Sequence, residues 1–151
     1  MQSFEEIIQF AICHEESEAA FYEQLANRSN STDQKNALLA QAAEERDHKR
    51  RLEEILANQK LPSSSSNTTK PSPMQFKTYL KPRETQDGLL DYEDALLLSV
   101  QQERDAEAFY RELATHVDNP GLKKTILFLA EQEGKHAHQL EKEMDNAIKE
   151  N

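Results

Sequence analysis

Two Glu-x-x-His motifs stand in this chain, Glu45 to His48 and Glu133 to His136, and two single glutamates, Glu15 and Glu103, interrupt helical stripes that are otherwise apolar. Residues three apart on a helix share one face, so each motif can aim a carboxylate and an imidazole at one point. Four carboxylates and two imidazoles with no thiolate make a mixed nitrogen and oxygen donor set. Such a set suits iron or manganese and disfavours a structural zinc site. Taken singly, a helical glutamate is ordinarily a solvated charge, and a histidine in an apolar stripe is ordinarily a satisfied core residue. Taken together, four buried carboxylates without a counter-ion would each lose several kcal/mol of hydration and would repel one another. No Lys or Arg interrupts the stripes, so one or two dications are the partners that the pattern implies. No catalytic residue is read beyond these six.

The elements that must position them follow from periodicity. Helical spacing gives inward faces of Ile8, Ile12, Glu15, Ala19, Tyr22 and Leu25, then Leu38, Ala42, Glu45, His48, Leu52 and Ile55. The second half gives Leu96, Val100, Glu103, Ala106, Tyr110 and Leu113, then Ile126, Leu129, Ala130, Glu133, His136 and Leu140. Start signals stand at Ser3-Phe4-Glu5-Glu6 and Ser31-Thr32-Asp33-Gln34, both of capping-box form, at Asp91, and at Asn119-Pro120. Helices are therefore predicted over 4–28, 32–58, 92–117 and 120–148. Counted from those caps, the four glutamates lie 12, 14, 12 and 14 residues into their helices. At 1.5 Å per residue this is ~18–21 Å, the middle of each helix, where antiparallel neighbours meet whatever their direction.

A shift of 88 residues lays the first half on the second without a gap. It takes Glu15 to Glu103, Phe21-Tyr22 to Phe109-Tyr110, Glu45 to Glu133 and His48 to His136. The chain reads as a duplicated helical hairpin. Between the halves, residues 60–90 form a linker whose Pro62–Pro73 stretch is too polar to pack, with Phe76, Tyr79 and Leu80 available to pin its second part. A crossover along a helix of about 26 residues needs ~40 Å, or about twelve extended residues, which this linker exceeds. Each hairpin alone would expose its apolar stripe, so residues 1–151 are expected to form one all-α four-helix domain.

Composition sets the outer bounds. Three glycines, five prolines and no tryptophan argue against a β-sandwich or a glycine-looped nucleotide fold. A net charge of −10 disfavours nucleic acid and anionic membranes as partners. No segment has the apolar length of a membrane span or the form of a signal peptide, and Cys13 is the single cysteine, so a cytoplasmic setting is expected.

The blocks Ala11-Ile12-Cys13-His14-Glu15, Phe21-Tyr22-Glu23-Gln24-Leu25-Ala26 and Leu129-Ala130-Glu131-Gln132-Glu133, with His136, resemble the rubrerythrin branch of the ferritin-like superfamily. The resemblance covers the four helices and not the serine-rich linker. It implies a ferritin-like four-helix bundle of two hairpins with a long crossover, holding two iron ions, or manganese in their place. Glu15 with His48 and Glu103 with His136 would be terminal ligands of the two metals, and Glu45 and Glu133 would bridge them. Tyr22 and Tyr110 would hydrogen-bond ligand carboxylates, or serve only as aromatic core. Rubrerythrins add a seventh carboxylate on the third helix; here Ala106 holds that place, and Glu18 holds the symmetry-related place on the first. Glu18 is then either a further ligand or a surface glutamate. Full-length rubrerythrins also carry a four-cysteine rubredoxin-like domain, so with Cys13 alone an external, rubredoxin-like electron donor is implied. The implied activity is reduction of hydrogen peroxide or dioxygen, as in defence against oxidative stress, by a homodimer. The alternatives are ferroxidation with iron storage or delivery, as in bacterioferritin-like proteins, and oxygenation of an organic substrate.

Overall fold

A computed structural model describes residues 3–58 and 92–149. They form four helices, α1 Phe4–Arg28, α2 Thr32–Ala57, α3 Tyr92–Ala114 and α4 Pro120–Lys149. The caps explain the starts. Ser3 Oγ accepts the Glu6 N–H at 3.1 Å while Glu6 Oε1 accepts the Ser3 N–H at 3.1 Å, a complete capping box. Asn119 Oδ1 accepts the Leu122 N–H at 3.0 Å, with Pro120 as the first helical residue. The second expected box is made only in half. Ser31 Oγ accepts the Gln34 N–H at 3.3 Å, but the Ser31 N–H goes to Ser29 Oγ at 3.2 Å, and that hydroxyl lies 3.1 Å from Gln34 Oε1. Ser29 has taken the place that the Gln34 side chain was expected to fill.

The third helix also stops earlier than its periodicity suggests. The N–H groups of Thr115, His116 and Val117 bond to carbonyls three residues back, so the chain tightens after Ala114 and tucks Val117 into the core. The cap at Asp91, the linker 60–90 and its apolar Phe76, Tyr79 and Leu80 lie outside the described residues.

The apolar side chains gather into two clusters. One joins Ile8 and Ala11 of α1 to Leu52 of α2, Phe109 and Leu113 of α3, and Ile126 and Leu129 of α4. The other joins Tyr22 and Leu25 to Leu38, to Leu96 and Val100, and to Leu140. The start of α1 therefore sits with the end of α2, the end of α3 and the start of α4. α2 and α3 run the same way, so the chain leaves α2 at one end of the bundle and begins α3 at the other. That is the crossover topology expected of two duplicated hairpins. α1 packs along α2 and α3 along α4. Among the described residues no helix is long and apolar enough to cross a membrane.

Of the side chains read as inward, Ile12 and Ile55 are only partly buried at the edge of the first cluster. Charged pairs also link the two helices of each hairpin at the surface. Arg46 reaches Glu23 at 2.7 Å and Glu16 at 3.2 Å, and Arg104 reaches Glu141 at 3.2 Å. All are substantially exposed and contribute little energy each.

Candidate metal centre

The two apolar clusters do not touch along any helix without interruption. Between Ala11 and Ala19 on α1 lies Glu15, and between Ala42 and Leu52 on α2 lie Glu45 and His48. Between Val100 and Ala106 on α3 lies Glu103, and between Ala130 and Leu140 on α4 lie Glu133 and His136. The six side chains form one buried polar layer at mid-bundle. The four glutamates have no solvent-exposed surface, and the two histidines almost none.

Within the layer the donors fall into two overlapping groups of four, and Glu45, His48 and His136 make a further group of three. Ligand atoms of Glu15, Glu45, His48 and Glu133 lie within 4.8 Å of one another, as do those of Glu45, Glu103, Glu133 and His136. The groups of four share Glu45 and Glu133, and each adds one further glutamate and one histidine. His48 Nδ1 is 2.8 Å from Glu133 Oε1, 3.2 Å from Glu45 Oε1 and 3.4 Å from Glu15 Oε1. His136 Nδ1 is 3.1 Å from both Glu45 Oε1 and Glu103 Oε2. The two rings stack with centroids 5.4 Å apart and planes 10° from parallel.

His136 Nδ1 and Glu103 Oε2 make a hydrogen bond at 3.1 Å, but most of the close approach here is not hydrogen bonding. Glu15 Oε1, Glu103 Oε1, both oxygens of Glu45, both of Glu133 and the Nδ1 of His48 have no hydrogen-bond partner. Their directions do not suit one another, although their distances do. Buried polar atoms are almost always satisfied, and leaving one unsatisfied costs about 1–3 kcal/mol. Seven such atoms converging on shared points fit a pair of cations, each of which would satisfy several oxygens and one nitrogen at once.

The electrostatics agree. Burial, with Glu45 close by, pushes the Glu15 carboxyl up to about 7. Burial and neighbouring carboxylates push Glu103 and Glu133 well above the ordinary range. Glu45 is the exception: burial favours its neutral form, but the imidazoles of His136 and His48 outweigh it and hold the carboxyl far below its usual value. Burial likewise favours neutral imidazoles, yet the carboxylates around His48 and His136 win and raise both. In the metal-free protein, protons on the imidazoles supply positive charge that metal ions would otherwise bring.

Around the layer, Tyr110 donates its hydroxyl to Glu15 Oε2 at 3.2 Å, reaching from α3 to α1. Burial keeps that phenol protonated by raising its pKa well above the ordinary value. Tyr22 is fully buried in the second apolar cluster. Glu18 is 1% exposed, and its charge bears on both Glu15 and Glu103. It is therefore not a surface glutamate, although it joins neither of the two ligand groups. One participant escaped the sequence reading: Glu44 Oε2 lies 3.0 Å from His136 Nε2. Its signal was the position just before Glu45, matched in the repeat by Gln132, another polar residue.

An antiparallel four-helix bundle with a carboxylate and imidazole layer at its centre defines the class. Within it, a rubrerythrin family model matches residues 6–89 and 94–151, and the chain belongs to the rubrerythrin family. The match runs through the serine-rich stretch, further than the helical motifs carried the resemblance. Two solved structures share the fold. A hypothetical protein from Pyrococcus furiosus superposes with a TM-score of 0.74 at 24% identity, over 97% of this chain and 91% of that one. A protein from Thermotoga maritima, described as a ferritin-like diiron-carboxylate protein, gives 0.73 at 21% identity over 97% of both chains. The fold is ferritin-like. No curated protein matches the chain.

Proposed function

We propose that the layer holds two iron ions and that the protein reduces hydrogen peroxide, or dioxygen, with electrons from an external donor. The observation that carries this reading is the pair of four-residue groups sharing Glu45 and Glu133. Glu15 and His48 would hold one ion, Glu103 and His136 the other, and the shared glutamates both. Bound there, a pair of irons supplies the two electrons that cleavage of an O–O bond consumes. The protein's own part is to orient and to exclude. Tyr110 fixes Glu15 through its hydroxyl, the apolar clusters above and below keep bulk water from the layer, and Glu18 adds a buried carboxylate beside Glu15 and Glu103. Reduction of one peroxide by two electrons and two protons gives two waters. With Cys13 alone among 151 residues, the electrons come from a group outside them, such as a rubredoxin-like protein. The reading takes 1–151 as one domain with 60–90 as its crossover, working as a cytoplasmic homodimer.

Glu18 separates this reading from iron storage. Protein loaded anaerobically with Fe(II) should hold two irons per chain and be oxidised faster by peroxide than by oxygen in stopped flow. Glu18→Ala would make α1 match Ala106 on α3, and it should keep both irons while losing most of the peroxide preference. Wild-type protein that binds fewer than two irons defeats the reading, and faster oxidation by oxygen favours ferroxidation with storage or delivery.

A further inference from the structure

His136 has two ring nitrogens in unlike surroundings. Nδ1 is buried, 3.1 Å from Glu45 Oε1 and Glu103 Oε2. Nε2 points the other way, 3.0 Å from Glu44 Oε2, whose side chain is 52% exposed. A carboxylate accepts hydrogen bonds, so with Nε2–H donating to Glu44, Nδ1 is the ring nitrogen left facing the layer. A carboxylate behind a ligating imidazole fixes the ring and strengthens it as a donor.

His48 lacks this support. Among the described residues its carboxylate contacts, with Glu15, Glu45 and Glu133, all run through Nδ1. The repeat explains the difference. The 88-residue shift takes His48 to His136 and Glu44 to Gln132, so the sequence position equivalent to Glu44 in the other half holds an amide and not a carboxylate. An amide oxygen can accept the ring N–H but carries no charge with which to strengthen it.

Resting on the two-metal reading, we propose that Glu44 makes the two metal positions unequal, positioning His136 as the stronger imidazole ligand so that the ion held by Glu103 and His136 binds more tightly than the ion held by Glu15 and His48. Glu44 touches neither ion; it acts through His136.

The test is anaerobic titration of the full-length protein with Co(II), followed by its visible absorption. Wild-type protein should take up two ions in two resolved steps. Glu44→Ala should weaken the tighter ion by about 10–100-fold and leave the other within about threefold, with Glu44→Gln in between. Gln132→Glu, at a separate partly exposed position, should tighten the weaker ion and draw the two steps together. Proton NMR of the Co(II)-loaded protein gives a readout that loss of packing would not imitate. Of two strongly shifted, exchangeable ring N–H signals, one should exchange slowly, and in Glu44→Ala it should exchange as fast as the other. If Glu44→Ala weakens both ions equally, or neither, the proposal is overturned and the two-metal reading stands. If wild-type protein binds fewer than two Co(II) ions, that reading falls and the proposal with it.

Discussion

At the scale of residues, the proposed metal layer would trade protons for metal. Glu15 rises from 4.5 to about 7, so between those values the folded, metal-free protein holds a proton that the unfolded chain has released. Stability from this group is lost as pH rises from 4.5 through about 7. His48 and His136 are raised from 6.5, so their contribution is present below 6.5 and is also lost as pH rises above it. Glu45 works the other way, with stability present above 4.5 and lost in acid. The metal-free protein should therefore be most stable near pH 5 and melt at lower temperature by pH 8. The metal-loaded protein should not follow it, because ions displace the same protons and bind better as pH rises. Thermal melts from pH 5 to 8 with and without metal check this, and parallel curves would refute it. The six positions were legible in the sequence because each breaks an apolar stripe at one height. The burial of Glu18 was not, since it stands one turn from Glu15 at the margin of the stripe. Nor was the reach of Tyr110 to Glu15, which depends on how α1 and α3 pack together.

At the scale of elements, one position on α4 shows a hairpin leaving helix stability unused. A Cβ at Gly134 would come within 2.9 Å of Glu107 Oε2, the end of a flexible side chain held by Arg104 at 3.3 Å and Arg111 at 3.0 Å. Those ion pairs are partly exposed and contribute little, and the atoms that the Cβ would meet are all at the end of the Glu107 side chain. None of the described residues has positive φ. Replacing a mid-helix glycine with alanine gains about 1 kcal/mol of helix propensity. Gly134→Ala should thus raise stability by roughly 0.5–1 kcal/mol, read from urea unfolding of the metal-free protein. A loss instead would mean that Glu107 is held more firmly than its exposure implies. Helix starts were readable because caps are local, four-residue chemistry. The half-made box at Ser31 was not, because Ser29 competes for the same N–H from outside the motif. The early end of α3 follows from the burial of Val117, a tertiary demand that periodicity does not carry.

At the scale of the molecule, the bundle has two apolar half-cores joined through a polar layer. The crossover was legible as feasible because the linker exceeds the length it must span, whereas equal mid-helix heights let neighbours meet whatever their direction. Which hairpin faces which was not legible, because the 88-residue repeat makes the halves interchangeable on paper. A ligand that binds only the native state at a hundred times its Kd adds about 2.7 kcal/mol. Removing the metals with a chelator should therefore lower the melting temperature by on the order of 5–10 °C. Equal melting temperatures would count against metal in the layer.

The same division changes where the backbone yields. Helices ordinarily fray from their ends, and their central amides are the last to exchange with solvent deuterium. In this bundle the apolar clusters hold the two ends, and the middle turn of each helix carries a crowded carboxylate, joined on α2 and α4 by an imidazole. Chelation should leave exchange near Ile8, Leu25, Leu113 and Leu140 little changed, while amides around Glu15, Glu45, Glu103 and Glu133 exchange much faster. The metal-free bundle would then open from its waist outward, and a uniform rise in exchange along all four helices would show that the half-cores are not separate units.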